Sequence, residues 1–140
     1  MLTEEQQKEV ISAIQDAEKN TSGEIRVHLE SASTDVDALD RARQVFVKLD
    51  MYKTADRNAV LFYLAEDARR FAIWGDDGIN RVVPLDFWDS TRDAMKVHLR
   101  NGDLVAALCT GIRMAGEQLK TYFPYQSDDV NELPDDISFG

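Results

Sequence analysis

Along the first twenty residues the apolar positions recur every three to four: Val10, Ile11, Ile14 and Ala17 form one stripe in "EEQQKEVISAIQDAEKN", the period of an amphipathic helix. Thr3 followed by Gln6 makes a capping box, so the spacing predicts a helix over residues 3–19. "NTSG" should end it, with Gly23 as a left-handed terminator. The period then shortens to two. In "EIRVHLE", residues 24–30, Ile25, Val27 and Leu29 alternate with Glu24, Arg26, His28 and Glu30, which predicts a strand with one wet face and His28 on the surface.

"STDVDALDRARQVFVKLDM" returns to helical spacing, with Ala38, Ala42, Val45, Phe46 and Leu49 on one side and Ser33 or Thr34 as the cap. Its Asp35, Asp37 and Asp40 do not make a calcium loop, because the sixth position is Asp40 instead of glycine and the twelfth is Phe46 instead of glutamate. "AVLFYLA", residues 59–65, is apolar throughout, as a strand covered on both faces should be. "ARRFAIW" follows across the polar turn "EDA" as its hairpin partner. A third helix is expected over "LDFWDSTRDAMKVHLR" with Leu85, Trp88, Met95 and Leu99 inward. "NGD" caps a fourth, in which Leu104, Val105, Leu108, Ile112, Ala115 and Leu119 are spaced to bury and Asp103 is the N-cap. From Phe123 the pattern becomes irregular, dividing the chain into a domain over residues 1–126 and an acidic tail over 127–140, expected to be disordered or loosely draped.

At 140 residues the chain can bury a core without a metal or disulfide to hold it. Sixteen basic against 26 acidic side chains give a net charge of −10, which disfavours nucleic acid and anionic lipid and favours divalent cations or basic partners. The longest apolar run is far too short to span a bilayer, and "MLTEEQQKEV" does not read as a secretory signal, so a cytoplasmic protein is expected. Cys109, the one cysteine, excludes an intramolecular disulfide and a thiolate cluster. Among residues of helical spacing it reads as a small buried hydrophobe.

The candidate chemistry comes from connectivity. A helical crossover makes the strands at 24–30 and 59–65 parallel, and a hairpin sends the next strand back toward their start. The loops "TSGE", "YKTADRN" and "WGDDG" should therefore share one rim, gathering Ser22, Glu24, Thr54, Asp56, Arg57, Asn58, Asp76 and Asp77. Glu24, Asp56, Asp76 and Asp77 are the candidate ligands, and calcium or magnesium is the expected cation because nearly every donor is oxygen. Arg57, Asn58, Ser22, Gly75 and Gly78 would line the site, with Asp86 in reserve at the start of the third helix. The competing reading is a set of polar turns and caps in which Arg57 pairs with an aspartate.

"AEKNTSGEIRVHLE", "TADRNAVLFYLA", "RRFAIWGDDGIN" with "FW" after it, "GIRMAGEQLKTYFP" and "NELPDDI" together resemble the TPM-domain family over nearly the whole chain. The resemblance implies an α/β fold, a three-layer α/β/α sandwich with a small mixed sheet of three to four strands flanked by about four helices. It also implies divided functions: divalent-cation binding and acid phosphatase activity have both been proposed for members. The matching positions are Gly23, Glu24, Arg57, Asn58, Gly75, Asp76 and Gly78. Three functions follow as expectations: a cation-binding domain, a metal-assisted phosphatase whose catalytic residues are unassigned, and an adaptor that docks a protein partner through the rim or the tail.

Overall fold

The computed structural model describes residues 2–31, 36–66, 70–126 and 132–140. Its element order is α1 (Glu4–Glu18), β1 (Glu24–Glu30), α2 (Ala38–Lys48), β2 (Ala59–Ala65), β3 (Phe71–Gly75), α3 (Asp77–Asn80), α4 (Asp89–Arg100), α5 (Leu104–Leu119) and β4 (Ile137–Phe139). The four strands form one mixed sheet in the order β3-β2-β1-β4. β1 runs parallel to β2 and to β4, while β3 runs antiparallel to β2, as the crossover and hairpin require.

Two apolar clusters on opposite sheet faces make the three layers. Ile25, Val27 and Leu29 of β1, with Val60, Phe62 and Leu64 of β2, pack against Ile14 of α1, Met95 of α4 and Leu108 and Ile112 of α5. Ala59, Leu61 and Tyr63 face the other way, against Ala42, Val45 and Phe46 of α2. β2 is buried at all seven positions because it is central and covered on both faces.

The local signals act as expected at several ends. Thr3 and Gln6 form the capping box of α1, and Asp103 accepts from the Ala106 amide as the cap of α5. α2 is capped by Asp37, which accepts from the Leu39 amide; the alternative caps Ser33 and Thr34 lie outside the described residues, as does most of the turn between β2 and β3.

Other expectations are corrected. Gly23 is not a left-handed terminator: α1 closes on Lys19 in right-handed conformation, and among the described residues the one glycine with positive φ is Gly102. β1 has no wet face. Glu24, His28 and Glu30 are all buried, because α2 and the C-terminal segment cover the side that alternation assigns to water. The third helix begins at Asp89, and Leu85 stands fully exposed before it. "GDDG" is a helix entrance, since Asp76 caps the short α3. Residues 132–140 are not a loose tail: Ile137 is buried and β4 supplies the sheet's fourth strand.

Candidate functional site

The topology brings the expected loops to one end of the sheet. Glu24 pairs in register with Ala59, and the Asp76 amide donates to the Ala59 carbonyl at 3.0 Å. Glu24 and Asp76 are thus separated by two strand spacings, roughly 10 Å between backbones. They share a rim, with one strand between them.

On the β3 side the aspartates are committed to an arginine. Asp76, 4% exposed, receives Arg57 Nε at 2.7 Å and Nη2 at 2.8 Å, and also caps the Asp77 amide. Asp77 is largely exposed, with Oδ2 3.7 Å from the same guanidinium. Arg57 adopts φ 50°, a left-handed conformation unfavourable by about 1 kcal/mol or more for a side-chain-bearing residue. Gly78 fits beneath it because a Cβ there would stand 2.1 Å from the Asp56 carbonyl oxygen and 2.5 Å from that of Arg57. Asp56 and Asp86 are exposed and Gly75 is buried beside Trp88. The pairing of Arg57 with an aspartate, the competing reading of this loop, is what the geometry contains.

On the β1 side the acids have no such counterion among the described residues. Glu24 is 3% exposed, and its Oε1 accepts from the Glu132 amide at 2.7 Å while its buried Oε2 has no donor. Glu18, at the end of α1, accepts the Ile25 amide at 2.8 Å on a stretch of β1 edge that β4 does not reach. Its carboxyl is also hydrogen-bonded to those of Asp135 and Glu24. Asp135 Oδ1 is buried without a partner, as are Arg26 Nε of β1 and Thr54 Oγ1 of the loop before β2. Glu132 Oε2 accepts from the Ala55 amide at 3.1 Å, tying the C-terminal segment to the loop before β2. Asn58 and Ser22 complete the rim: Asn58 Nδ2 reaches Ser22 Oγ at 3.5 Å, and the Asn58 carbonyl accepts from the Glu24 amide.

The electrostatics follow from that crowding. Burial pushes the Glu18 carboxyl far above the usual carboxylate range; the bond to Asp135 and the charges of Glu24 and Asp135 add to it, against the Ile25 amide. Burial likewise raises Glu24, with the Glu132 amide and Glu18 opposing and the charges of Glu132 and Asp135 reinforcing. Among the described residues, no three His, Cys, Asp or Glu side chains stand ready around one point as metal ligands. The three acids form a crowded contact, and an ion would have to draw them into a shell.

Sequence reasoning named Glu24 here and missed Glu18 and Asp135. It also missed a second buried network at the other end of β1. Glu30 accepts from Tyr63 Oη at 2.5 Å and from Arg41 Nε at 2.7 Å, and His28 Nδ1 lies 3.0 Å from Ser138 Oγ of β4. Burial alone would raise the Glu30 carboxyl, but the bonds from Arg41 and Tyr63 hold it below its ordinary value. Burial pushes the His28 imidazole down. The signal for this network was the strand pairing, since a parallel strand flanked on both sides is normally covered on both faces.

The TPM domain family model matches residues 1–118. The chain belongs to the TPM-domain family. The solution structure of BA42 from the psychrophilic bacterium Bizionia argentinensis is 50% identical, with a TM-score of 0.93 over 100% of this chain and 96% of that one. The N-terminal domain of a P. gingivalis protein, at 18% identity, superposes with a TM-score of 0.70 over 89% of this chain and 82% of its own. The N-terminal domain of cg2496 from Corynebacterium glutamicum does so with 0.66 at 14% identity, over 98% of this chain and 80% of its own. These two carry the fold alone. No curated protein matches. Among the described residues no helix is long and apolar enough to cross a membrane.

Proposed function

We propose that this TPM domain binds a divalent cation, calcium or magnesium, between Glu18, Glu24 and Asp135. The observation that carries the reading is the crowding of three carboxyl groups at one rim, where Glu24, 3% exposed, is bonded to Glu18 and lies beside Asp135, with no cationic side chain paired to them among the described residues. Crowded buried carboxylates are unfavourable unless a proton or a cation satisfies them. Oxygen donors alone select a hard ion, and the irregular set suits calcium's flexible shell better than magnesium's octahedron. The net charge of −10 raises the local concentration of either ion. Asp76 is the weaker ligand of the rim set because Arg57 already neutralises it, while Asp56 and Asp77 contribute long-range attraction from the exposed lip.

The phosphatase reading asks Arg57 to leave a buried aspartate and hold a phosphoryl group beside several acids, which opposes it. The adaptor reading, where it docks through the tail, asks the C-terminal segment to be free, whereas residues 132–140 pack on the sheet. Calorimetric titration with calcium and with magnesium tests the proposal. Saturable heat is expected from the native chain and its loss from Glu24→Gln; undiminished binding by that variant would refute the assignment.

A further inference from the structure

The second buried network, at the end of β1 away from the acids, holds a serine, a histidine and a glutamate in series. Ser138 of β4 has its Oγ 3.0 Å from His28 Nδ1, and His28 Nε2 stands 3.4 Å from Glu30 Oε1. Glu30 accepts from Arg41 and Tyr63, and those donors hold it ionised. An ionised carboxylate only accepts hydrogen bonds. The Nε2 that faces it therefore carries the imidazole proton, which leaves Nδ1 as the acceptor for the Ser138 hydroxyl. Other contacts fix the ring. It stacks on Tyr63 with 13° between the planes, and Gly140 closes over it, since a Cβ there would stand 2.8 Å from Nε2. His28 is buried, whereas Ser138 is half-buried on a strand that forms the sheet's edge among the described residues.

We propose that this network is a nucleophilic site for neutral acyl esters, with Ser138 as nucleophile, His28 as general base and Glu30 as the residue that positions the base. Ser138 Oγ adds to the ester carbonyl carbon as its proton passes to His28 Nδ1. The carbon–oxygen bond to the alcohol then breaks, the alcohol leaves with that proton, and Ser138 is acylated. Water next attacks the acyl carbon and gives a proton to Nδ1; the acid departs and Ser138 regains its proton. Ester and water have become acid and alcohol. The Gly140 amide donates to the Leu29 carbonyl, so by strand alternation the amide of Phe139 points to the open edge. There it is placed, one residue after the nucleophile, to bond the carbonyl oxygen as charge develops. Phe139, 49% exposed, offers an apolar rest for the acyl group, and the net charge of −10 favours a neutral ester over an anionic one.

An alkyl fluorophosphonate, whose fluoride a serine displaces to leave a stable adduct, tests the site by mass and peptide mapping, with p-nitrophenyl acetate turnover measured beside it. The adduct should map to Ser138. Ser138→Ala, which leaves His28 and Glu30 in place, should lose both adduct and turnover, and His28→Gln should slow labelling by about a hundredfold or more. Labelling needs neutral His28, so its rate should rise with pH and level off below the ordinary 6.5, because burial lowers the imidazole. Around that ring Glu30 of β1 raises the value, Arg41 and Lys48 of α2 lower it, and Tyr63 of β2 stacks on it. Glu30→Gln should therefore slow labelling and also move the pH limb lower, which a role in packing alone would not do. No adduct on Ser138, labelling at the native rate in His28→Gln, or equal acetate turnover by the native chain and Ser138→Ala overturns the proposal. If His28→Gln does not fold, the native chain still decides, since a labelling rate without a limb below 6.5 also overturns it.

Discussion

Glu18→Gln should stabilise the ion-free protein, an uncommon result for a side chain that makes a backbone hydrogen bond. In the fold Glu18 is crowded by Glu24 and Asp135, and burial drives its carboxyl well above the ordinary value of 4.5. At neutral pH it therefore keeps a proton that the unfolded chain has released. Holding that proton costs about 1.36 kcal/mol for each pH unit above 4.5, or roughly 3 kcal/mol at pH 7, less whatever solvent screening relieves at this partly accessible position. Glutamine retains an acceptor for the Ile25 amide and supplies a permanent donor toward Asp135, without that proton. The sign is fixed by a raised folded value: stability is fully present below 4.5 and is lost as pH rises toward the folded value. Urea denaturation in chelator should show the variant more stable by about 2 to 3 kcal/mol at pH 7, with the gain vanishing near pH 4.5. A variant that is less stable than the native chain at pH 7 would refute the crowding argument.

Tyr63→Phe removes the buried hydroxyl that donates to Glu30 and should lower stability by about 1.5 to 3 kcal/mol in the same assay, the range for a hydrogen bond to a charged group. Gly78→Ala drives a methyl group into the Asp56 and Arg57 carbonyls and should cost about 3 kcal/mol or more, since backbone cannot yield as a side chain does; a shift of the urea midpoint reports it. His28, lowered in the fold, contributes stability that is present above its ordinary value of 6.5 and lost as pH falls through the folded value. His28→Gln should flatten that part of the pH–stability profile, while the acid limb from Glu30, also lowered in the fold, persists below its ordinary 4.5.

What could be read from the chain was whatever is encoded within one element or by one connection. The Thr3 and Gln6 pair, the Asp103 cap and the unbroken apolar run of β2 are local, and all appear as read. Parallel β1 and β2 with an antiparallel β3 followed from the crossover and hairpin, which put the acidic loops on one rim. β1 misled because alternation reports chemistry, and its Glu24, His28 and Glu30 are buried under other elements instead of facing water. Leu85 misled because its helix starts four residues later, at Asp89. The partners of Glu24 were beyond reach: Glu18 reads as the wet face of α1, and Asp135 reads as one more charge in an acidic tail. Their meeting depends on β4 adding to the edge of β1, and a three-residue strand leaves almost no periodic trace.

Amide chemical-shift mapping during a calcium titration tests the central claim most directly, because the two acid groups of the rim have different backbone reporters. Ile25 donates to Glu18 and Glu132 donates to Glu24, whereas Asp77 donates to Asp76 and Gly78 to the Arg57 carbonyl. The largest saturable shifts are predicted at Ile25 and Glu132, with Asp77 and Gly78 nearly still. Shifts centred on Asp77 and Gly78, or none at Ile25 and Glu132 at saturating calcium, would contradict the account.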